Sequence, residues 1–225
     1  SFSIACLIFL LIIAFAYYPK EKIESEENII FSTILGINIV GIIIDIFGFF
    51  MLKLLGIDSI INIIISKIYL VYFLTYPFCL FIYVYYKAFN DSRKISLFKK
   101  IFYSVAVIMS IMPIEIHFDG LIGYTSGLSV SFSYIVGICL IIMMLYCLMK
   151  ARKKIAKDYY PLFAFIILMI LVVVIQNINP ELTLLLLCNS IVTIIMYFTI
   201  ENPDVKMIRQ LEIAKDSADK ANAAK

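Results

Sequence analysis

The chain has 225 residues, of which 63% are hydrophobic and only 16% are charged, with a mean hydropathy of +1.02. Soluble domains contain roughly 45–50% apolar and about 25% charged residues. The composition therefore excludes an ordinary soluble domain and predicts an integral membrane protein. The net charge of +3 fits basic loops that face anionic lipids, so we expect no nucleic-acid partner.

Apolar residues form blocks that are separated by charged clusters. About 20 helical residues cross a hydrocarbon core of roughly 30 Å, and the blocks lack the period-two alternation of barrel strands. This pattern predicts an all-α protein, with an integral membrane bundle of seven helices over residues 1–200. The predicted helices cover residues 2–18, 29–52, 62–86, 101–114, 128–149, 161–176 and 182–200.

The basic residues predict an orientation in the membrane. Lysine and arginine in short loops stay on the cytoplasmic side, and here they follow the first, third and fifth blocks and fill the tail. On the opposite side only Lys53 lies at a helix end. Seven crossings then place the N-terminus outside. Ala14 and Ala16 resemble a signal-peptide cleavage site, but removal of the first block would reverse this orientation, so we expect that block to remain as a helix.

Two ionisable residues lie within the predicted crossings, Asp45 in the second helix and Lys67 in the third. Each is eight residues, about 12 Å, from the outer end of its helix, which is Lys53 in one case and Ser59 in the other. An antiparallel pair of helices would bring the two charges to the same depth. They then form either a structural ion pair or a ligand-contacting or gating site, and the sequence leaves both open.

Further polar residues occur near the outer ends of the predicted helices. The residues predicted to bind or sense a ligand together with Asp45 and Lys67 are Asn62, Glu115, His117, Gln176 and Asn189. They would line a pocket that is open to the outside and takes an unknown small ligand or peptide, although polar residues at loop ends are commonly just solvated. A zinc site needs about four ligands, and His117 is the only histidine, so no metal site is predicted.

Motifs for enzymatic chemistry are missing from the sequence. It contains no HExxH, GxSxG or GxxxxGK[ST] motif, and a single carboxylate within the crossings excludes an intramembrane aspartate pair. The seventh block also lacks the lysine that a retinal Schiff base needs. We therefore expect no catalytic residue and no cofactor within this chain.

The sequence changes character where the seventh block ends. Asn202 followed by Pro203 is typical of a helix N-cap and the first helical residue, so a second helix or a kink begins there. Met207 and Leu211 then open a series of apolar and alanine residues with spacings of 4, 3, 4 and 3. Over residues 201–225 this fits a cytoplasmic coiled coil that makes a homodimer, and an isolated amphipathic helix fits it equally well.

The segment YFTIENPDVKMIRQLEIAKDSADKANAAK resembles the linker before the dimerisation and phosphoacceptor helix of bacterial membrane-bound sensor histidine kinases, especially hybrid types. The seven blocks before it, with YTSGLSVSFSYI opening the fifth, look like the N-terminal seven-helix sensor region of such kinases. The resemblance implies a signal-input module in the inner membrane of a bacterium. Its signal would pass through Asn202, Pro203, Met207 and Leu211 to a dimeric helix.

The same resemblance implies further domains and partners. The phosphoacceptor histidine would lie just beyond a stretch like ANAAK, followed by a kinase domain that uses ATP and Mg, with a response regulator as the downstream partner. The single histidine of this chain, His117, is predicted to lie outside the cell. We therefore expect that these residues alone do not autophosphorylate.

Three other functions remain compatible with the sequence. A small multi-pass transporter would have broken helices near the midplane in two related halves, and no internal repeat is visible here. The same type of sensor is also compatible with another output, such as a diguanylate cyclase. Finally, a membrane scaffold would assemble partners through the tail without sensing a stimulus.

Overall fold

The computed structural model describes residues 2–19, 26–89, 91, 93–118, 120, 123–150, 159–178, 184–201 and 214–215. Within these ranges the chain forms seven long helices and one antiparallel pair of strands. The helices are α1 (Phe2–Tyr17), α2 (Glu26–Leu55), α3 (Ile60–Phe89), α4 (Ile95–Ile111), α5 (Leu128–Lys150), α6 (Tyr160–Ile178) and α7 (Leu185–Glu201). The strands β1 (Glu115–Phe118) and β2 (Gly123–Ser126) connect α4 to α5.

Each predicted apolar block coincides with one helix, which confirms the helical character of the chain. The boundaries differ because polar residues at the edges of a block continue the helical turns. α2 begins at Glu26 and α3 continues past Lys87, outside the predicted blocks. α4 begins at Ile95 rather than at residue 101, because Lys99 and Lys100 lie on its exposed side and do not interrupt it.

Three helices, α2, α3 and α5, are long and apolar enough to cross a membrane, with 30, 30 and 23 residues. The shorter apolar helices are α1, the part of α6 at Tyr160–Val172 and the part of α7 at Leu185–Ile200. Helix length thus agrees with composition in giving the chain the character of a membrane protein.

α3 occupies the centre of the bundle. It packs against α2, α4 and α5, and its residue Tyr76 reaches Phe165 on α6 and Thr193 on α7. In the most apolar 18-residue stretch of α3, 67% of the residues are buried. The corresponding shares are 33% for α2 and 22% for α5. α7 packs against α1, α2 and α6. Polar side chains on α3 therefore find their partners within the protein.

The contact between α3 and α4 consists largely of aromatic rings. Phe78 stacks on Phe102 with ring centroids 4.2 Å apart, and Phe98 lies edge-on to both Phe81 and Tyr85, at 5.2 and 5.0 Å. These rings fill the space between the two helices and attract one another by dispersion, which is less directional than a hydrogen bond.

The two strands form a short β-hairpin that was not predicted, in a chain whose described residues are otherwise mostly helical. β1 pairs with β2 in an antiparallel register that sets Glu115 opposite Ser126 and His117 opposite Tyr124. Gly127 ends β2 with a φ of 105°, in the left-handed region that glycine adopts without strain. The hairpin is only four residues long on each side, too short for its alternation to stand out in the sequence.

Candidate functional site

Five polar side chains are buried midway along α2, α3 and α7. They are Asn38 on α2, Tyr72 and Tyr76 on α3, and Asn189 and Thr193 on α7, and none is more than 5% exposed. Burial of such groups is unfavourable unless their hydrogen bonds are made inside the protein. We call these five residues the α7 polar network, because they connect α7 to the other two helices.

Asn38 connects α2 to both of the other helices. Its Nδ2 donates to Thr193 Oγ1 at 3.1 Å, and its Oδ1 accepts from the Tyr72 hydroxyl at 2.9 Å. The Tyr72 hydroxyl in turn accepts from Asn189 Nδ2 at 3.4 Å. Because three helices meet at one amide group, a displacement of any of them breaks a hydrogen bond.

Tyr76 makes a second connection between α3 and α7, one helical turn after Tyr72. Its hydroxyl donates to the backbone carbonyl of Asn189 at 2.8 Å and lies 3.0 Å from Thr193 Oγ1. The next residue, Pro77, lies inside α3 and has no N–H to donate to the preceding turn. The central helix therefore lacks one backbone hydrogen bond beside the network, and such sites are where helices bend.

A glycine allows α2 to approach the ring of Tyr72. Gly41 lies one turn beyond Asn38, and a Cβ atom added there would overlap the Tyr72 ring. Small residues at membrane helix interfaces let two backbones come close enough for side-chain hydrogen bonds. Because Gly41 has no side chain on this face of α2, the Tyr72 ring has room to lie close to Asn38.

One acceptor of the network has no hydrogen-bond partner among the described residues. It is Oδ1 of Asn189, a side chain that is only 1% exposed. Most buried polar atoms in proteins are satisfied, so an exception indicates strain, a bound water or an alternative arrangement. The network consists of amides and hydroxyls, so it offers hydrogen-bond donors and acceptors and has no charged acid or base.

Asp45 and Lys67 do not form an ion pair, which was one of the two roles that the sequence left open for them. Asp45 accepts a hydrogen bond from Ser3 Oγ of α1 at 2.8 Å. Lys67 Nζ donates to the backbone carbonyl of Ser110, in the last turn of α4, at 2.6 Å. The two charges thus contact helices on different sides of the α2–α3 pair.

The predicted match in depth is nevertheless present. Gly41 faces Tyr72 across the two antiparallel helices. Asp45 is four residues after Gly41 on α2, and Ile68 is four residues before Tyr72 on α3. Asp45 is therefore level with Ile68, the residue that follows Lys67. Counting residues gives the depth of a side chain, whereas the face it occupies depends on how the helix is rotated in the bundle. Asp45 and Lys67 lie at the same depth but on different helix faces, so their side chains do not pair.

Asn62, predicted to contact a ligand, stabilises the turn between α2 and α3. It is 3% exposed, and its Nδ2 donates to the carbonyls of Gly56 at 2.6 Å and of Met51 at 3.4 Å. Gly56 has a φ of 74°, which closes α2 in a left-handed conformation. The side chain of Asn62 thus connects the first turn of α3 to the last turns of α2 and to the residue that ends α2.

Glu115 and His117 are brought together on one face of the hairpin. His117 Nε2 lies 2.8 Å from Ser126 Oγ, which also donates to Glu115 Oε2 at 3.3 Å. The His117 ring stacks on Tyr124 with centroids 4.8 Å apart, and His117 Nε2 is 4.0 Å from Glu115 Oε2. Within the described ranges, no group of three His, Cys, Asp or Glu side chains is close enough to hold a metal ion.

The predicted ligand residues therefore occupy separate places. Among those whose side chains the structure describes, only Glu115 and His117 touch one another, while Asn189 belongs to the polar network. Gln176 lies near the end of α6, and its side chain is outside the described part of the structure. The four predicted transmission residues also lie outside the described residues: Asn202, Pro203, Met207 and Leu211.

Four members of the polar network were not predicted from the sequence. Tyr72 and Tyr76 are four residues apart on α3, and Asn189 and Thr193 are four apart on α7, a spacing that puts both members of each pair on one helix face. Asn38 is an uncharged polar residue within an apolar block. Polar residues at such spacing inside apolar blocks are the signal that would have indicated the network.

Comparison of the chain with models of protein families, with curated proteins and with solved structures found no match. The function is therefore inferred from the residues and their geometry.

Proposed function

We propose that the chain is the membrane signal-input module of a bacterial sensor histidine kinase. In this proposal seven helices cross the inner membrane, the N-terminus lies outside, and residues 201–225 form a dimeric cytoplasmic helix. Two observations from the sequence support it, namely the basic loops at one end of the bundle and the resemblance of residues 197–225 to a kinase linker. The observation that carries it is the α7 polar network, because α7 is the helix that leads into this linker.

The network suits a helix that changes position between two states. Hydrogen bonds in apolar surroundings are directional, so α7 is held at a defined height and rotation against Asn38, Tyr72 and Tyr76. The free Oδ1 of Asn189 provides an acceptor for a second arrangement of these groups. A stimulus shifts the balance only if it binds the two arrangements with different affinity.

The end of α7 near the linker packs against two other helices. The ring of Tyr197 lies 6.5 Å from that of Tyr17 on α1 and 6.3 Å from that of Phe31 on α2, and Tyr17 and Phe31 are 4.7 Å apart. Tyr197 is one helical turn before Glu201, where α7 ends. A rotation of α7 that begins at the polar network would thus reach the linker through this aromatic contact.

The first test is phosphate transfer. Protein that includes its natural downstream sequence is reconstituted in liposomes and incubated with labelled ATP and Mg²⁺. We expect an acid-labile phosphohistidine that disappears when the downstream histidine is replaced, and transfer of the label to a response regulator. Absence of label in folded protein would contradict the kinase, and formation of a cyclic dinucleotide or solute flux would identify a cyclase or a transporter instead.

The second test asks whether the polar network carries the signal. Thr193→Val removes a hydroxyl that bonds to Asn38 on α2, whereas Thr199→Val removes one that bonds only to Ile195 of the same helix. Coupling energies between sites are typically 1–3 kcal/mol, so we expect Thr193→Val to change the phosphorylation rate by about fivefold or more. Thr199→Val should leave the rate near that of the unmodified protein. Equal effects of the two substitutions would exclude the network from signalling.

A further inference from the structure

Lys67 is a cation in the outer half of α3 without a carboxylate partner. It is half-buried and lies seven residues, about 10 Å, from the start of the helix at Ile60. No described carboxylate lies within 4 Å of its Nζ, and Asp45 at the same depth is bound to Ser3. A positive charge at such a depth is unfavourable unless it is paired or hydrated.

Its one hydrogen bond satisfies only part of the ammonium group. Nζ donates to the carbonyl of Ser110, which is among the last four carbonyls of α4 and so has no partner within the helix. The helix end at Met112, whose N–H bonds back to Ile108, carries only a partial negative charge, equivalent to about half an electron. Two of the three N–H donors of Lys67 remain available among the described contacts.

The surface around this ammonium is aliphatic and exposed. On α3, Ile64 and Ile68 share a helix face with Lys67 at its edge, and they are 52% and 48% exposed. On α4, Val107 and Ile111 share a face with Ser110 at its edge, and they are 60% and 78% exposed. The ammonium group of Lys67 thus lies beside two exposed aliphatic surfaces, one on α3 and one on α4. This arrangement is complementary to a molecule with an acidic head group and apolar chains.

We propose that Lys67, whose ammonium group is oriented by the carbonyl of Ser110, binds the phosphate of an anionic membrane lipid. The two free N–H groups donate to phosphate oxygens in charge-assisted hydrogen bonds, which are about twice as strong as neutral ones. The acyl chains lie along the exposed isoleucine and valine side chains. The site rests on the membrane placement of the proposed function and is independent of the kinase output.

The test compares lipids that differ in net charge. Purified protein is exchanged into mixed micelles with phosphatidylglycerol or phosphatidylcholine, and the lipid retained on each molecule is counted by native mass spectrometry. We expect phosphatidylglycerol to be retained preferentially. One basic residue near a membrane contributes about 1 kcal/mol, so Lys67→Met should reduce that preference about fivefold, while Lys67→Arg preserves it.

Lys53→Met is the matched control, because it removes an exposed lysine from the end of α2, on the same side of the bundle. It should leave the preference unchanged. Equal losses in the Lys53 and Lys67 variants would indicate nonspecific charge attraction and overturn the site. The preference of the unmodified protein needs no substitution, so its absence overturns the site even if Lys67→Met fails to fold.

Inorganic phosphate separates the lipid from a free anion. We expect millimolar phosphate to leave the retained lipid unchanged, since the acyl chains contribute to binding. Displacement of the lipid by phosphate alone would show that the site takes the free anion and would overturn a lipid site. Lipid retention is measured without ATP, so a failure of the kinase proposal does not affect this result.

Discussion

α7 and α4 are attached to the central helix α3 in different ways. α7 is held by hydrogen bonds from buried side chains, among them those of Tyr76 to the Asn189 carbonyl and of Asn189 to Tyr72. α4 is held mainly by aromatic rings such as Phe78 and Phe102, with one hydrogen bond from Lys67 to the Ser110 carbonyl. Apolar side chains have little preference for each other over lipid tails, whereas a buried polar group in the bilayer must find a partner. The position of α7 is therefore specified more strictly than that of α4.

The two modes of attachment respond differently to a displacement. A hydrogen bond is lost over about half an ångström of extension or a modest change in angle, so α7 has a small number of discrete positions. Aromatic packing is less sharply directional, because its dispersion energy is shared by many atom pairs. In the proposed signalling function, α7 is therefore the helix that changes position, and α4 packs passively.

The largest expected effect concerns another polar contact, at the opposite end of α3 from Lys67. Lys87 Nζ lies 2.8 Å from Glu27 Oε1, and the two side chains are only 8% and 15% exposed. Lys87→Met leaves the partly buried carboxylate of Glu27 without this cation, and removal of one partner of a pair that is largely shielded from solvent costs about 3 kcal/mol. Chemical unfolding in detergent should show this loss.

The control for this pair is the double variant Lys87→Met with Glu27→Gln. Because the double variant removes both charges of this pair, we expect it to recover much of the stability lost by Lys87→Met. If the single and double variants lose the same free energy of unfolding, the ion pair does not hold α2 to α3.

The next largest effect is expected at the close approach of α2 to α3. Gly41→Ala places a Cβ atom where the Tyr72 ring lies, so the ring must move away from Asn38. Overpacking of this kind costs about 1–3 kcal/mol. Gly36→Ala on the same helix meets nothing within 4 Å and should be neutral or slightly stabilising, because alanine favours helix more than glycine does.

Thermal unfolding of the two alanine variants, measured by circular dichroism, tests this difference. A melting temperature that falls to the same extent in both would indicate that α2 lies elsewhere against α3.

A smaller effect is expected on the aromatic side of the comparison. Phe102→Leu replaces a ring stacked at 4.2 Å on Phe78 by another apolar side chain, which should cost about 1 kcal/mol or slightly more. Because the α7 polar network is untouched, the rate of phosphorylation should stay close to that of the unmodified protein. A loss of signalling comparable to that of Thr193→Val would show that α4 transmits the signal as well.

Much of the fold follows from the sequence because apolar length determines a membrane helix almost by itself. The runs LIFLLIIAF in α1 and AFIILMILVVVI in α6 are apolar at every position, and both are helical in the structure. The hairpin at 115–126 was missed because four alternating residues per strand give a weak signal.

The candidate site was harder to predict, since its geometry depends on helix rotation. Asp45 and Lys67 lie at the predicted depth, but their side chains bond to Ser3 on α1 and to Ser110 on α4. No local sequence pattern indicates these two contacts. Asn189 was among the predicted residues, whereas its partner Tyr72 lies in an apolar block without any local signal. The buried polar contacts of α7 are made by uncharged side chains, which stand out less than charged ones within an apolar block.

The most direct test of the polar network is a double-mutant cycle between α2 and α7. Asn38→Leu and Thr193→Val each remove one side of the 3.1 Å hydrogen bond between the two helices, and unfolding free energies are measured for both single variants and the double variant. Hydrogen bonds between membrane helices average about 0.6 kcal/mol and reach about 1.7 kcal/mol, so we predict a coupling energy of about 1 kcal/mol. A coupling energy of zero, with both variants folded, would contradict the attachment of α7 through this network.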